Sequence, residues 1–333
     1  MSIFHHKRRR LFVANEVTPG TAIADASLFV LGNGKVPVYD LKVTPQVQNL
    51  DRNPDGLTFD SVDSVRWSEN YQITFQTDAY TSGTAGTAPG YSQLLKSCGL
   101  VETTSPGTSV TYTVDSDACP TSTMGVELIN DAGTASKKII VAGCLGSFTL
   151  AADMVGKPGR ISWTFVGKAA YVTTTLQVVD GTPVSSVVYD DAVANLPQLK
   201  GVSLTVGGVS RQVNNLSFDR GLTTEFETDM GDTTGYLKRI VASSNPKLTI
   251  DPAKVTEATQ TDITRLFAGT SGAIAVTFGS TAGKRLKINF ARAQSESLSD
   301  DARGVTSTWG MTFRGNRSSV TGNGDDAVTV VFD

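Results

Sequence analysis

The chain has almost no histidine. Its 333 residues include two, His5 and His6, adjacent to one another near the start. Histidine supplies the base of Ser-His-Asp and Cys-His sites and is the commonest metal ligand. The body that follows therefore has none for either chemistry. Carboxylate-only or lysine-based catalysis survives that exclusion, but no motif supports it. No catalytic residue, cofactor site or metal site is assigned. Cysteine is scarce as well. Cys98, Cys119 and Cys144 are odd in number and show no paired spacing. They read as free thiols of a protein made and kept in a reducing cytoplasm. Long apolar runs are missing too. None approaches the roughly 18 residues that span a bilayer as a helix. The run behind the basic N-terminal residues, Leu11–Ala14, is shorter than the about 7–15 residues of a secretory leader, so no membrane association is expected. Charged residues make up 18% and hydrophobic residues 39%. That balance belongs to a globular chain rather than a disordered one.

What the sequence does have is small, turn-forming and β-branched. It contains 32 glycines and 42 threonines, which reads as β-sheet joined by many turns. The length allows about two ordinary domains or one large β domain. Alternation predicts strands from Val38 to Val43, Val62 to Trp67 and Tyr71 to Thr77, the last two split by a turn at Ser68-Glu69-Asn70. Further strands are expected at Ser109–Val114, Met124–Asn130, Lys137–Ala142, Gly146–Ala151 and Arg160–Val166. The later ones are Val202–Val206, Gln212–Phe218, Ala273–Phe278, Leu286–Phe290, Gln294–Leu298, Ser307–Arg314 and Ala327–Phe332. A short helix is expected at Tyr91–Gly99, where Tyr91, Leu94, Leu95 and Cys98 share a face. A second is expected near Gln260–Ala268, with Thr261 as its cap. Trp67, Trp163 and Trp309 lie within alternating segments and read as core.

The two halves resemble one another. Val38, Leu41 and Val43 stand 175 positions before Val213, Leu216 and Phe218, and Asn70, Ile73 and Phe75 stand 175 before Asn245, Leu248 and Ile250. Lys137, Ser147, Leu150, Phe165 and Gly167 stand 148 before Arg285, Ser295, Leu298, Phe313 and Gly315. The drop of 27 fits one net insertion in the first half, most of it within residues 100–123. Alternating apolar strands also align by chance, so the place of the helix within each half is the stronger sign of a tandem duplication.

Several motifs tempt and fail. Gly32-x-Gly34-Lys35 has the wrong spacing for a phosphate loop, and Val36-Pro37 follows it in a β context. Gly322-x-Gly324-x-Asp326 is a single copy of a pattern that binds calcium only in stacked repeats. Asp229, Asp232, Asp300 and Asp301 read as solvated loop acids. Asn215-Leu216-Ser217 and Asn316-Arg317-Ser318 match glycosylation sequons, which carry no meaning in a protein that is not secreted. The basic run Lys7, Arg8, Arg9 and Arg10 reads as an exposed arm, poorly ordered, or one that docks on a neighbouring subunit or touches nucleic acid. The whole chain carries −3. Without those four cations, 25 Lys and Arg face 32 Asp and Glu, a body of −7. Such a body is a poor surface for binding a duplex.

The stretch from Tyr71 to Leu100, with its Thr81-Ser82-Gly83-Thr84-Ala85-Gly86-Thr87-Ala88-Pro89 loop and the helix ending Leu94-Leu95-Lys96-Ser97-Cys98-Gly99, resembles the major tail (tail tube) proteins of long-tailed bacteriophages. Thr108–Tyr112, the turn Phe278–Lys284 and Glu16-Val17-Thr18-Pro19-Gly20-Thr21 continue the likeness. The resemblance implies a mainly β chain of tandem duplicated β-sandwich or barrel tail-tube domains, each with one short flanking helix. It implies a structural virion protein whose rings stack into a hollow tube that conducts DNA, with duplicated members forming trimers of pseudo-sixfold symmetry. Implied partners are further copies of the chain and the tail terminator, tape measure and distal tail proteins of the same phage. DNA would pass through the lumen without specific binding, and lumen-facing loops are expected to carry much of the acidic excess. Assembly would take place in the host bacterial cytoplasm.

The expected organisation is an N-terminal arm at 1–36, a first β domain at 37–170, a linker at 171–200, a second β domain at 201–316 and a C-terminal strand at 317–333. Thr81, Ser82, Gly83, Thr84, Ala85, Gly86 and Thr87 form a candidate inter-subunit contact loop, with Thr103–Thr108 a second polar loop. A tail-associated adhesin or carbohydrate-binding β-sandwich is the alternative function. Such modules usually expose clustered aromatics.

Overall fold

Strands are the dominant element of the chain, as the density of Thr, Val, Ile and aromatic residues dictates. The computed structural model describes residues 3–52, 62–117, 119–152, 158–172, 175–176, 178–185, 187, 189, 196, 202–318 and 325–333. The first half contains β1 (Phe4–Asn15), α1 (Asp25–Leu28), β2 (Tyr39–Leu50), β3 (Val65–Asp78), α2 (Ser92–Lys96), β4 (Leu100–Ser105), β5 (Ser109–Val114), β6 (Ser122–Asn130), β7 (Ser136–Ala152) and β8 (Arg160–Ala169). Then come the short strands β9 (Tyr171–Val172), β10 (Thr175–Leu176) and β11 (Val178–Gly181). The second half contains β12 (Ser203–Val206), β13 (Val209–Ser210), β14 (Leu216–Asp219), β15 (Leu222–Thr228), β16 (Tyr236–Ser244) and β17 (Lys247–Ile250). It continues with α3 (Glu257–Gln260), α4 (Asp262–Ala268), β18 (Ser271–Phe278), β19 (Leu286–Arg303), β20 (Thr306–Asn316) and β21 (Thr329–Phe332).

The fold is mainly β and its ladders are antiparallel. One run of neighbours is β1–β6–β7–β8–β3–β2. Another is β12–β18–β19–β20–β17–β14. Registers correspond between the β2–β3–β8 and β14–β17–β20 parts of the runs. The expected matches of Ser147 with Ser295 and Leu150 with Leu298 are corrected. Ser147 and Leu150 face Thr164 and Ile161, while Ser295 and Leu298 face Phe313 and Met311, because β19 bulges between Ser295 and Ser297. Val43↔Ile73 of the β2–β3 ladder, moved by 175, is Phe218↔Leu248 of the β14–β17 ladder. Ile73↔Phe165 of the β3–β8 ladder, moved by 175 and 148, is Leu248↔Phe313 of the β17–β20 ladder. β7 and β19 are the long strands, with 17 and 18 residues. Each receives a short strand near its start, β11 on β7 and β21 on β19. The runs are joined directly. β14 pairs along its second edge with β7, from Leu216↔Ala152 to Asp219↔Thr149. β21 pairs with β5 of the first half.

The core follows the ladders across the join. One cluster of buried side chains includes Phe75, Phe148, Trp163 and Phe165 together with Phe218, Leu248, Phe290 and Phe313. A smaller cluster holds Phe12, Leu28, Phe29, Ile140, Ala142 and Ala170. β8 shows a period-two burial pattern, with Ile161, Trp163 and Phe165 inward, as a half-buried strand should.

Several expectations are corrected. Residues Ser68-Glu69-Asn70 are not a turn. β3 runs straight through them, opposite Gln48, Val47 and Gln46 of β2, because cross-strand bonds hold these polar residues extended. The two strands expected over 137–151 are one, β7, which passes Gly143 at φ 62 with a register shift between Ala142 and Leu145. The extra residues form a bulge that bends the strand without ending it. β19 likewise fuses two expected strands, with a shift between Ser295 and Ser297. Thr261 does not cap α4. It sits in the left-handed region at φ 51 with no side-chain cap bond. The expected arm is also corrected. Phe4–Asn15 form β1, laddered to β6 from Arg9↔Leu128 to Asn15↔Ser122. Leu11, Phe12 and Val13 are buried, and burying them docks the whole strand. Of the expected linker, β11 lies in the sheet, while residues 190–195 and 197–200 lie outside the described residues, as does Gly322-x-Gly324. The apolar face of the first helix agrees with expectation: Tyr91, Leu94, Leu95 and Cys98 are all buried.

Candidate assembly surface

The loop Thr81–Thr87 is built by its own polar side chains. The Ser82 hydroxyl donates to the carbonyls of Thr84 and Thr87 at 2.9 and 2.8 Å. Gly86 has φ +73, and a Cβ there would lie 2.3 Å from the amide nitrogen of Gly107. Only glycine fits so close an approach. Gly107 is in the turn between β4 and β5, so the expected second loop, Thr103–Thr108, is corrected to a hairpin end. On its other side the loop meets the second half. A Cβ on Gly283 would lie 3.0 Å from the carbonyl oxygen of Gly83. The loop is thus seated where the two halves of this chain meet, with Thr84 and Thr87 exposed on its outer side.

The basic residues of β1 are engaged by the chain itself. Arg8 donates to the carbonyls of Asn130 and Asp131 at 3.1 and 2.8 Å. Arg9 donates to the carbonyl of Leu41 at 2.8 Å. Arg10 donates to the carbonyl of Val184 at 2.5 Å and lies 3.7 Å from the buried carboxylate of Glu127. Lys7 is exposed. These four residues line a groove of about 440 Å³ with Pro183, Val184 and Tyr189.

The join between the halves has polar locks around an aromatic centre. Arg220, just after β14, is 1% exposed. Its backbone N–H donates to the Phe148 carbonyl at 3.0 Å, and its guanidinium donates to the Gly99 carbonyl at 3.2 Å and the Ser244 hydroxyl at 2.5 Å. Burial pulls this guanidinium below its ordinary pKa. The β15–β16 hairpin lies against the first half. Lys168 of β8 meets Asp232 at 2.7 Å and the Tyr236 carbonyl at 3.2 Å. Gly20, at φ +81, passes so close that a Cβ would lie 2.4 Å from the Leu237 carbonyl oxygen. Nearby, the buried carboxylate of Glu16 accepts from the amides of Gly20 and Gly143, both at 2.7 Å, and from the hydroxyls of Thr121 and Thr123 at 2.5 and 2.8 Å. This hairpin lacks the expected strand pattern because β15 is mostly Thr and Glu, while β16 sets its apolar residues side by side, Tyr236-Leu237 and Ile240-Val241-Ala242, rather than in alternation. Its signal is the length of polar sequence between two apolar strands.

A cavity of about 790 Å³ opens between β16 and the start of β4, lined by acids and bases together, among them Glu16, Lys96, Glu102, Asp115 and Arg239. Burial pushes the Cys119 thiol at its edge up from its ordinary value. Among the described residues no cluster of three or more His, Cys, Asp or Glu could hold a metal ion, and no helix is long and apolar enough to cross a membrane. Asp232 and Asp300 are not simply solvated, since each pairs with a lysine, Lys168 and Lys254 respectively. Lys254 also stands 4.0 Å over the ring of the partly buried Trp309.

No protein-family model and no curated protein matches the chain.

Proposed function

We propose that the chain is a structural subunit that assembles with copies of itself into stacked rings, the hollow tail tube of a long-tailed phage, and that it arose by tandem duplication of one β unit. The observation that carries this reading is the matched register of the β2–β3–β8 and β14–β17–β20 ladders. Val43↔Ile73 and Phe218↔Leu248 correspond at 175, and Phe165 and Phe313 pair with equivalent residues at 148. The β4–β5 hairpin falls within the inserted residues 100–123 and gives the first half a part that the second lacks.

A ring suits such a chain physically. Two like units joined edge to edge repeat the same contact when the next chain is added, and a head-to-tail contact either closes or runs on as a filament. Closure also covers sheet edges that would otherwise invite aggregation. The acidic excess of the body supports a lumen through which DNA slides without specific binding, because like charge repels phosphate and gives little counterion release. Catalysis has no part in this reading. The tail terminator, tape measure and distal tail proteins are the proposed partners in the virion. The adhesin or carbohydrate-binding alternative calls for exposed aromatic platforms, and the burial of Trp163 under Phe75, Phe148 and Phe165 weighs against it.

Electron microscopy of the purified chain, with its mass in solution, tests the reading. Discs or tubes with threefold or sixfold symmetry are the expected result. A monomer at all concentrations, or a ring whose channel is lined by Lys and Arg, would overturn it.

A further inference from the structure

The join between the halves uses two sheet edges, and among the described residues no strand covers the counterpart of either edge. β14 is bonded on both sides, by β17 and β7. Its counterpart β2 is bonded by β3, and among the described residues no strand covers its other edge. β7 carries β6 over Ser136–Cys144 and then β14 over Thr149–Ala152 on the same edge. Its counterpart β19 carries β18 over Leu286–Gln294. Beyond that point, among the described residues, the edge from Glu296 to Arg303 carries no strand.

The side chains along the covered edges show what a partner strand buries. Phe218 and Leu150, opposed within the chain, are 0% and 2% exposed. Val43, the counterpart of Phe218, is left partly buried at the rim of the core. The β19 position that Leu150 holds in β7 falls to Asp300, since Leu150 faces Ile161 of β8 and Asp300 faces the equivalent Trp309 of β20. We infer that β2 of one copy adds antiparallel to the uncovered edge of β19 in the next copy, with Lys42 opposite Asp301 and Val43 opposite Asp300, as Ser217 and Phe218 stand opposite Ala151 and Leu150 within the chain. This rests on the ring reading and deepens it by naming the two edges. Because the edges differ, the contact is head-to-tail and generates a ring or a filament.

The same comparison sets the length and strength of this contact. Pro45 stands where the second half has Arg220, whose N–H donates to Phe148. Proline has no N–H to donate, so the ladder stops at Thr44. At the other end Arg9 already occupies the Leu41 carbonyl. Nor is there a counterpart of the β5–β21 clamp, since α4 is followed almost at once by β18. The seam between copies is therefore shorter than the seam within the chain. Each chain folds first and associates second.

The test uses two variants, Lys42→Cys and Asp301→Cys, each in a Cys119→Ser background that leaves only the buried Cys98 and Cys144 besides the added cysteine, and one lengthened by a tag. They are mixed and oxidised in air. A mixed disulfide-linked pair should form at least tenfold faster than in a control that replaces Lys42→Cys with Val17→Cys, whose site is fully exposed. If wild-type chains form rings but the mixed pair forms no faster than the control, the edge assignment falls and the ring reading stands. If wild-type chains stay monomeric and no pair forms, both fall.

Discussion

Phe148 of β7 and Phe218 of β14 meet edge to face, with ring centroids 5.7 Å apart, across the ladder that joins the two halves. The contact makes one core of two strand runs. Phe218→Ala should lower stability by about 3–5 kcal/mol, the usual cost of deleting a buried aromatic ring. Because the core is continuous, urea unfolding followed by fluorescence and by circular dichroism should show a single coincident transition. Two separated transitions would contradict this.

Glu16 gathers two amides and two hydroxyls from three segments of the chain. Glu16→Ala strands those buried donors, each costing about 1–3 kcal/mol when left unmet. The variant should melt well below wild type, and Glu16→Gln should recover part of the loss. A melting temperature unchanged in Glu16→Ala would refute the arrangement.

The chain should weaken in acid. Burial alone would raise the pKa of Asp232, but its bonds from Lys168 and Thr234 outweigh that and hold it below the usual carboxylate range. Glu102 is lowered in the same way, with burial outweighed by the hydroxyls of Ser92 and Tyr112 and by Lys96. A carboxylate depressed in the folded state contributes stability above its unfolded pKa, about 4, and that contribution is lost as pH falls through the folded value. Asp232→Asn should therefore melt lower than wild type at pH 7, and the gap should close below about pH 4. A gap that does not vary with pH would count against the Lys168–Asp232 pair.

Gly86→Val should destabilise the Thr81–Thr87 loop, because its φ of +73 and the 2.3 Å approach to Gly107 leave no room for a side chain. Limited proteolysis near residue 86 should speed up in the variant while the sheet signal in circular dichroism is kept. Equal cleavage rates would show that the loop does not depend on that contact.

Thiol labelling should sort the cysteines. Cys98 and Cys144 are buried, and burial pushes both thiols up. Cys119 is partly exposed. The native chain should take one alkylating group slowly, at Cys119, and three once it is unfolded, as read by mass spectrometry. Fast labelling at Cys98 would contradict its burial beneath α2.

Much of this fold was legible in the residues. Ser109–Val114 is a strand within the expected bounds, Tyr91, Leu94, Leu95 and Cys98 do form a buried face, and the offsets 175 and 148 recur in the β14–β17 and β17–β20 registers but not in β19, where Leu298 faces Met311. These features come from local alternation and spacing, which sequence carries directly. Others depended on what lies opposite. Ser68 and Asn70 look like a turn until β2 holds them extended, and the β15–β16 hairpin has no apolar alternation to announce it. The candidate loop Thr81–Thr87 was visible as a loop, but its seat between Gly107 and Gly283 was not.

By itself the sequence determined the class of structure: mostly β, poor in histidine, with a mildly acidic body. Which edges meet was decided only in three dimensions. Arg8, Arg9 and Arg10 read as free charge along the chain, yet carbonyls more than thirty positions away engage them. Strand pairing is non-local, and the groups that satisfy a buried or bonded residue come from whatever element the fold lays beside it.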